Sequence, residues 1–274
     1  MRDTTVELHG RTVALTDIGD PDGTAVLYAH GAPVSRRNLG DQHAEFAAAG
    51  LRVITADRPG YGGSSPVPGR TRADWADDTA ALADALGIDR FLVAAHSSGG
   101  PYGVAVAALL PERVGGTVVL GGVTDFAWGP SWEGFSASEC AMMRQPDERA
   151  ALEWGERHLA DADGIEWPDP DRELISTRDL PHLRASSKEA FAQGVGGYTQ
   201  DTWVQGRPWD FDPADAGAPF VVVHGDLDTV VPIAHSRHTA ELVPDAELRV
   251  LPGHGHVTVL WELPALLTEV RDRL

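Results

Sequence analysis

Cysteine and lysine are almost absent from this 274-residue sequence. Cys140 is the only cysteine, so no intrachain disulfide is possible, and no recognisable motif surrounds it to favour a nucleophilic role. Lys188 is the only lysine, and acidic residues outnumber lysine and arginine by 41 to 22. Because the resulting charge of −19 repels phosphate backbones and anionic head groups, we expect no nucleic-acid partner and no membrane partner.

Long apolar runs are also missing. No stretch approaches the roughly 20 apolar residues that a membrane-spanning helix needs. The first ten residues, MRDTTVELHG, contain no apolar segment of the kind that a signal peptide needs, so we expect a cytoplasmic protein. With 42% hydrophobic residues, the chain is long enough to bury one full core.

Short apolar runs alternate with helical patterns through most of the chain. After two strands joined at His9-Gly10, the runs that predict strands are AVLYAHG (25–31), RVITAD (52–57), FLVAAHS (91–97), GTVVLGGV (116–123), PFVVVHG (219–225) and AELRVLPG (246–253). Helical patterns occupy residues 40–49, 71–86, 98–110, 232–242 and 257–273. This alternation predicts an α/β fold with a mostly parallel, doubly wound sheet.

Residues 125–213 interrupt the alternation. The segment has no apolar strand runs, is rich in acidic residues and holds six of the eight tryptophans. Because structureless loops of that length are uncommon in compact domains, we predict a mostly helical insertion over the sheet. The predicted organisation is therefore a core of residues 1–124 and 214–274 with an insertion at 125–213.

The segment AHSSGG (95–100) joins a predicted strand to a predicted helix. A nucleophile elbow needs this setting, because its serine sits on a strained turn whose neighbours two residues away must be small. Ala95 and Gly99 meet that requirement around Ser97, although glycine is the residue usually found at the first position. Ser98 is a rival nucleophile, but a bulky histidine stands two residues before it. We predict Ser97 as the nucleophile and the Ser98 N–H as an oxyanion donor.

A second oxyanion donor is expected from the segment HGAP (30–33), which ends an early strand. The loop after such a strand can face the nucleophile in enzymes of acyl transfer. Ala32 is the candidate, because Pro33 has no N–H.

The segment HGDLDTVVP (224–232) follows the penultimate strand and offers two carboxylates. A neutral imidazole needs one carboxylate to hold its tautomer and to stabilise the imidazolium. Asp228 lies farther past the strand end, close to the start of the next helix, and is favoured as that carboxylate. Asp226 remains the alternative, with a role in the loop itself as its expected function.

The segment GHGH (253–256) follows the last strand and offers two histidines for the general base. His256 directly precedes the final helix and is favoured, with His254 as the alternative. Two histidines could also bind a metal, but no carboxylate or cysteine cluster accompanies them at ligand spacing. We therefore predict no metal and no other cofactor.

In these motifs, and in their order Ser97, Asp228, His256, the chain resembles the α/β-hydrolase superfamily over nearly its whole length. DRPGYGGSS (57–65) is a further match, and in similar proteins it forms a structural turn. The resemblance implies an α/β-hydrolase fold in which residues 125–213 form a helical cap that selects the substrate. A serine at the elbow argues against the epoxide hydrolase and haloalkane dehalogenase branches, whose members carry aspartate there.

The resulting hypothesis is a serine hydrolase that cleaves a small-molecule carboxylic ester, or a related acyl bond, through an acyl-enzyme. Lactonases, carbon–carbon bond hydrolases and proline-iminopeptidase-like enzymes remain alternatives, although the last usually carry tryptophan where this chain has Ser98. A non-catalytic ligand-binding protein of the same fold is the alternative of another class. The tryptophan-rich, acidic insertion favours a neutral, partly apolar substrate, and no pattern indicates an oligomeric state.

Overall fold

Eight strands form one sheet in the computed structural model, which describes residues 1–159, 165–217 and 219–274. The strands are β1 (Arg2–Leu8), β2 (Arg11–Gly19), β3 (Thr24–Ala29), β4 (Leu51–Ala56), β5 (Phe91–His96), β6 (Val114–Leu120), β7 (Phe220–Gly225) and β8 (Glu247–Leu251). Their order in the sheet is β1-β2-β4-β3-β5-β6-β7-β8. β2 pairs antiparallel with β1 and β4, and all other neighbours pair in parallel. The predicted mostly parallel sheet is thus confirmed.

Ten α-helices lie in the described part of the chain. They are α1 (His43–Ala48), α2 (Arg72–Ala85), α3 (Gly100–Leu109), α4 (Ala137–Met143), α5 (Glu148–His158), α6 (Asp169–Thr177), α7 (Pro181–Glu189), α8 (Gly196–Gln205), α9 (Ile233–Leu242) and α10 (Leu263–Arg271). α1 and α10 pack on one face of the sheet, and α2, α3 and α9 pack on the other. The sheet is therefore doubly wound, as predicted.

The central strands are mostly apolar because both of their faces are buried. In β3, Val26 and Tyr28 belong to the apolar cluster beneath α1 and α10, whereas Leu27 and Ala29 belong to the cluster beneath α2 and α3. Successive side chains of a strand point to opposite faces, so a continuous apolar run fills both layers.

Two predicted helices begin later than the sequence pattern suggests. The expected helix at 98–110 opens with a 3-10 turn, Ser97–Gly99, before α3, and the expected helix at 257–273 opens with another, Thr258–Glu262, before α10. Both α3 and α10 have a proline in the first turn. The missing N–H of proline costs no hydrogen bond there, so proline favours a new helix start at these positions.

The segment between β6 and β7 folds into α4 to α8. Residues 160–164 of this segment lie outside the described residues. A third apolar cluster joins the segment to the core. Its buried members are Val123, Phe126, Cys140, Met143 and Val231. No helix that the structure describes combines the length and the apolar character needed to cross a membrane.

Candidate active site

Ser97 lies between β5 and α3 in a strained turn. Its φ is +57°, a left-handed conformation that is uncommon for residues other than glycine. A Cβ atom on Gly99 would lie 2.2 Å from the Ala29 carbonyl oxygen, and one on Gly103 would lie 2.5 Å from Ala95 Cβ. Small residues are therefore required around Ser97, as the sequence argument for an elbow assumes.

Asp228 and His256 form a direct hydrogen bond. His256 Nδ1–H donates to Asp228 Oδ2 at 2.7 Å, and the other carboxyl oxygen accepts the N–H groups of Val230 and Val231 at 2.8 and 3.0 Å. Burial alone would raise the pKa of Asp228, but His256 and the Val231 N–H outweigh burial and lower it. An ionised carboxylate on Nδ1 leaves Nε2 of a neutral ring free to accept a proton.

Ser97 and His256 approach the same edge of the sheet. The His96 ring lies 4.5 Å from the His256 ring between centroids, and His96 Nε2–H donates to the His256 carbonyl oxygen at 2.8 Å. A Cβ atom on Gly121 would lie 3.3 Å from His256 Nδ1, so the end of β6 also borders this residue. Among the described residues, His256 is bonded to Asp228 and His96, and no hydrogen bond joins it to the Ser97 hydroxyl.

The alternative site residues make other contacts. Asp226 accepts the Gly253 N–H at 2.7 Å, and His254 Nε2 lies 3.3 Å from a carboxyl oxygen of Glu262. The Ser98 hydroxyl is buried and has no hydrogen-bond partner among the described residues. Among the described residues, therefore, none of the three alternatives forms a side-chain hydrogen bond with Asp228 or His256.

The predicted oxyanion donors belong to two segments that adjoin Ser97. A Cβ atom on Gly31 would lie 3.1 Å from Ser97 Cβ, so the loop that carries Ala32 lies against the elbow. Ser98 follows Ser97 directly within the 3-10 turn. The Ala32 N–H therefore follows a residue that lies against Ser97, and the Ser98 N–H belongs to the elbow itself.

Asp171, in the first turn of α6, is a buried site residue that the sequence argument missed. Its Oδ2 accepts the Val257 N–H at 3.0 Å, and its Oδ1 accepts the Thr258 N–H at 2.8 Å and the Thr258 hydroxyl at 3.0 Å. Trp167, just before α6, lies nearly parallel to the His256 ring with 6.5 Å between centroids. Residues of the segment between β6 and β7 thus contact the loop that carries His256.

Among the residues that the structure describes, no three His, Cys, Asp or Glu side chains converge in a geometry that could hold a metal ion.

Comparisons with known proteins cover most of the chain. A family model described as the alpha/beta hydrolase fold matches residues 24–263. A 2-hydroxy-6-oxononadienedioate/2-hydroxy-6-oxononatrienedioate hydrolase from Burkholderia vietnamiensis is 30% identical over 244 residues, 85% of this chain and 80% of its own length. The dihydrolipoyllysine-residue acetyltransferase component of an acetoin cleaving system from Pseudomonas putida is 26% identical over 92% of this chain, which spans only 63% of that relative.

Solved structures share the fold at lower identity. The enol-lactonase from Burkholderia xenovorans superposes with a TM-score of 0.71 over 98% of both chains, at 18% sequence identity. A likeness at that identity concerns the fold alone.

Proposed function

This chain belongs to the α/β-hydrolase fold family and is a hydrolase, and on that premise we propose that it cleaves a small-molecule carboxylic ester through Ser97, His256 and Asp228. The observation that carries the proposal is the Asp228–His256 hydrogen bond of 2.7 Å beside the strained turn of Ser97. Strained backbone conformations cluster at functional sites, and a strained turn between a strand and a helix is the turn that exposes a nucleophilic serine.

In the proposed acylation, His256 Nε2 takes the proton of Ser97 as Oγ attacks the ester carbonyl carbon. The oxygen of the tetrahedral intermediate accepts hydrogen bonds from the Ala32 and Ser98 N–H groups. Asp228 stabilises the imidazolium that forms. The intermediate then expels the alcohol, which leaves with the proton from His256.

Deacylation repeats these steps with water as the nucleophile. His256 takes a proton from water, the hydroxide attacks the acyl-enzyme, and Ser97 departs as the leaving group with the proton returned from His256. The products are the carboxylic acid and the free enzyme.

We propose that residues 125–213 act as a cap that selects the substrate. The support is that Trp167 lies over the His256 ring and that the apolar cluster of Phe126 and Met143 borders Val231, close to Asp228. Apolar walls with few polar groups suit a neutral, partly apolar small molecule. A cytoplasmic location remains a prediction from the sequence.

Carbon–carbon bond hydrolysis is a second candidate. The observation that favours it is the 30% identity, over 85% of the chain, to the Burkholderia vietnamiensis hydrolase. The name of that relative specifies a dioate, which is a dicarboxylate. The net charge of −19 on this chain would repel a dicarboxylate. Charge repulsion therefore favours a neutral ester over a substrate of that kind.

The test is a substrate panel with Ser97→Ala and a matched serine control. The panel holds nitrophenyl esters, lactones, aminoacyl amides and diketones. Ser186→Ala is the control because, among the residues that the structure describes, its hydroxyl bonds only the Leu183 carbonyl oxygen in α7, at 2.8 Å. We expect Ser97→Ala to lower ester turnover by at least about 10³-fold, and Ser186→Ala to change it less than about 3-fold.

Labelling with a fluorophosphonate probe separates the remaining alternatives. We expect one label, on Ser97. Unchanged turnover in Ser97→Ala, or a label on another residue, would contradict the proposed nucleophile. A wild-type protein with neither label nor turnover would be a ligand-binding protein, and diketone turnover without ester turnover would favour the second candidate.

A further inference from the structure

A buried carboxylate from the insertion sits between two buried arginines of the core. Asp201 in α8 accepts a hydrogen bond from Arg58 Nε at 2.8 Å through Oδ2, which also lies 2.6 Å from Arg58 Nη2. Its Oδ1 accepts from the Arg70 guanidinium and, at 2.9 Å, from the Tyr102 hydroxyl. Burial would raise the pKa of Asp201, but the charges of Arg58 and Arg70 outweigh burial and hold it well below its usual value.

The remaining donors of Arg58 face the loop after β3. Nη1 donates to the His30 carbonyl oxygen, and Nη2 donates to the Gly31 carbonyl oxygen at 3.2 Å. His30 Nδ1–H donates to the same Gly31 oxygen at 2.6 Å, while His30 Nε2 accepts the Arg58 backbone N–H at 3.2 Å. Burial and the Arg58 charge lower the pKa of His30, which keeps the ring in the neutral form that these two bonds require.

The Gly31 carbonyl and the Ala32 N–H belong to one peptide unit. The unit is trans, so its C=O and N–H point in opposite directions. Two donors therefore fix the direction of the Ala32 N–H by holding the carbonyl oxygen at its other end. Ser97 adjoins the same unit, because a Cβ atom on Gly31 would lie 3.1 Å from Ser97 Cβ.

We propose that Arg58, held in place by Asp201, is a positioning residue that aims the Ala32 N–H at the oxyanion formed on Ser97. The inference rests on the proposed function, since it gives that oxyanion its second donor. Preorganised donors stabilise a transition state because they need no reorientation when charge develops. Loss of Asp201 would leave Arg58 as a buried, unpaired charge, so both residues are needed for the alignment.

An alternative role of the Arg58–Asp201 ion pair is to anchor α8 to the core and nothing more. A matched control variant separates this anchoring role from the positioning role. Arg72 is also buried, and it also anchors α8, because Nη2 donates to the Val204 carbonyl oxygen at 2.6 Å. None of its recorded bonds reaches the loop that carries Ala32. A loss of anchoring alone should therefore affect Arg58 and Arg72 variants in the same way.

The experiment compares Arg58→Lys, Asp201→Asn and Arg72→Lys with the wild-type protein. Lysine can still reach Asp201 as a point charge, but it lacks the planar fork that also binds two carbonyl oxygens. The measurements are kcat and KM with nitrophenyl acetate, Ki for a trifluoromethyl ketone, and Tm. A trifluoromethyl ketone forms an adduct with Ser97 whose oxyanion needs the same donors as the transition state.

For Arg58→Lys and Asp201→Asn, we expect kcat to fall about 10- to 100-fold and Ki to rise by a similar factor, with KM within about 3-fold. For Arg72→Lys, we expect Tm to fall comparably while kcat stays within about 3-fold. The inference is overturned if the Arg58 and Arg72 variants lose kcat equally at equal Tm, or if Ki does not follow kcat.

A crystal structure of the wild-type adduct tests the inference even if the variants fail to fold. We expect the oxyanion about 2.7–3.1 Å from the Ala32 nitrogen, with the Gly31 oxygen still on Arg58. A reversed peptide would overturn the inference. Failure of the proposed function gives a different result, because Ser97→Ala would then retain turnover. If only the positioning role fails, Ser97 stays essential and the Arg58 and Arg72 variants lose kcat equally.

Discussion

Replacement of Asp171 by asparagine perturbs the loop of His256 without touching any group that reacts. The carboxylate accepts three hydrogen bonds, two from backbone N–H groups at 257 and 258 and one from the Thr258 hydroxyl. It is fully buried, and a Cβ atom on Gly255 would lie 2.6 Å from its Oδ1. The loop therefore packs against the carboxylate with little room to adjust.

The size of the effect follows from the three bonds. A hydrogen bond to an ionised acceptor contributes about 1.5–3 kcal/mol, and one to a neutral acceptor about 0.5–1.5 kcal/mol. In Asp171→Asn the amide oxygen keeps weaker bonds to Thr258, while the amide nitrogen opposes the Val257 N–H as donor against donor. We expect the free energy of unfolding to fall by about 2–4 kcal/mol.

We expect Asp171→Asn to lose more activity than partial unfolding alone would cause, because the variant also displaces His256. A misplacement of about 1 Å in a catalytic group can cost roughly 10²-fold in rate. We therefore expect Asp171→Asn to lower kcat for nitrophenyl acetate about 10- to 100-fold, and the rate of fluorophosphonate labelling by a similar factor. KM should change less, because the substrate pocket keeps its walls.

The matched control for this prediction is Asp169→Asn in the same helix. Asp169 is exposed, and within the described part of the chain it pairs only with Arg172, so its replacement should change neither kcat nor stability appreciably. Assays at a temperature well below the Tm of both variants separate catalysis from unfolding. Wild-type kcat and labelling rate in folded Asp171→Asn would refute the view that this carboxylate positions His256.

Two further predictions concern ionisable groups. Asp228→Asn should lower kcat about 10⁴-fold, whereas Asp226→Asn, which loses only its bond to a loop N–H, should lower it less than about 10-fold; equal losses would contradict the assignment. Burial lowers the pKa of His96 to about 3 and that of His235 to about 4, so between pH 6.5 and about pH 4 mainly the unfolded chain gains these protons. These two histidines should therefore lower stability by about 4 kcal/mol from pH 8 to pH 5, and the buried His30 should add to the fall, so urea unfolding curves that coincide at both pH values would refute this.

The parts of the fold that could be predicted are those that depend on local pattern. β3 and β5 are mostly apolar because both of their faces are buried, and that burial is visible in the sequence as a short apolar run. The strain at Ser97 could also be anticipated, because the small residues that permit the turn lie within two positions of it. The sequence pattern predicts a start for α10 that is too early, because the 3-10 turn before this helix carries the same apolar spacing.

The supports of the site could not be predicted because they join residues far apart in sequence. Asp201 is 143 residues from Arg58, and Asp171 is 86 residues from Val257. In the sequence, both are ordinary members of an acidic insertion, where a carboxylate is normally solvated. Only the fold shows that these two are buried and that each accepts bonds from the core.

The positions of these two carboxylates change how the insertion should be understood. Asp171 holds the loop of His256, and Asp201 holds Arg58 against the loop of Ala32, so one insertion contacts the supports of both the proposed base and the proposed oxyanion donor. A segment that only covered the pocket could vary freely to suit new substrates. A segment that also has the positioning roles proposed for Asp171 and Asp201 cannot, because a change that moves α6 or α8 should then lower the rate for every substrate alike. The proposed substrate selection is therefore best sought in residues such as Trp167, whose ring faces that of His256.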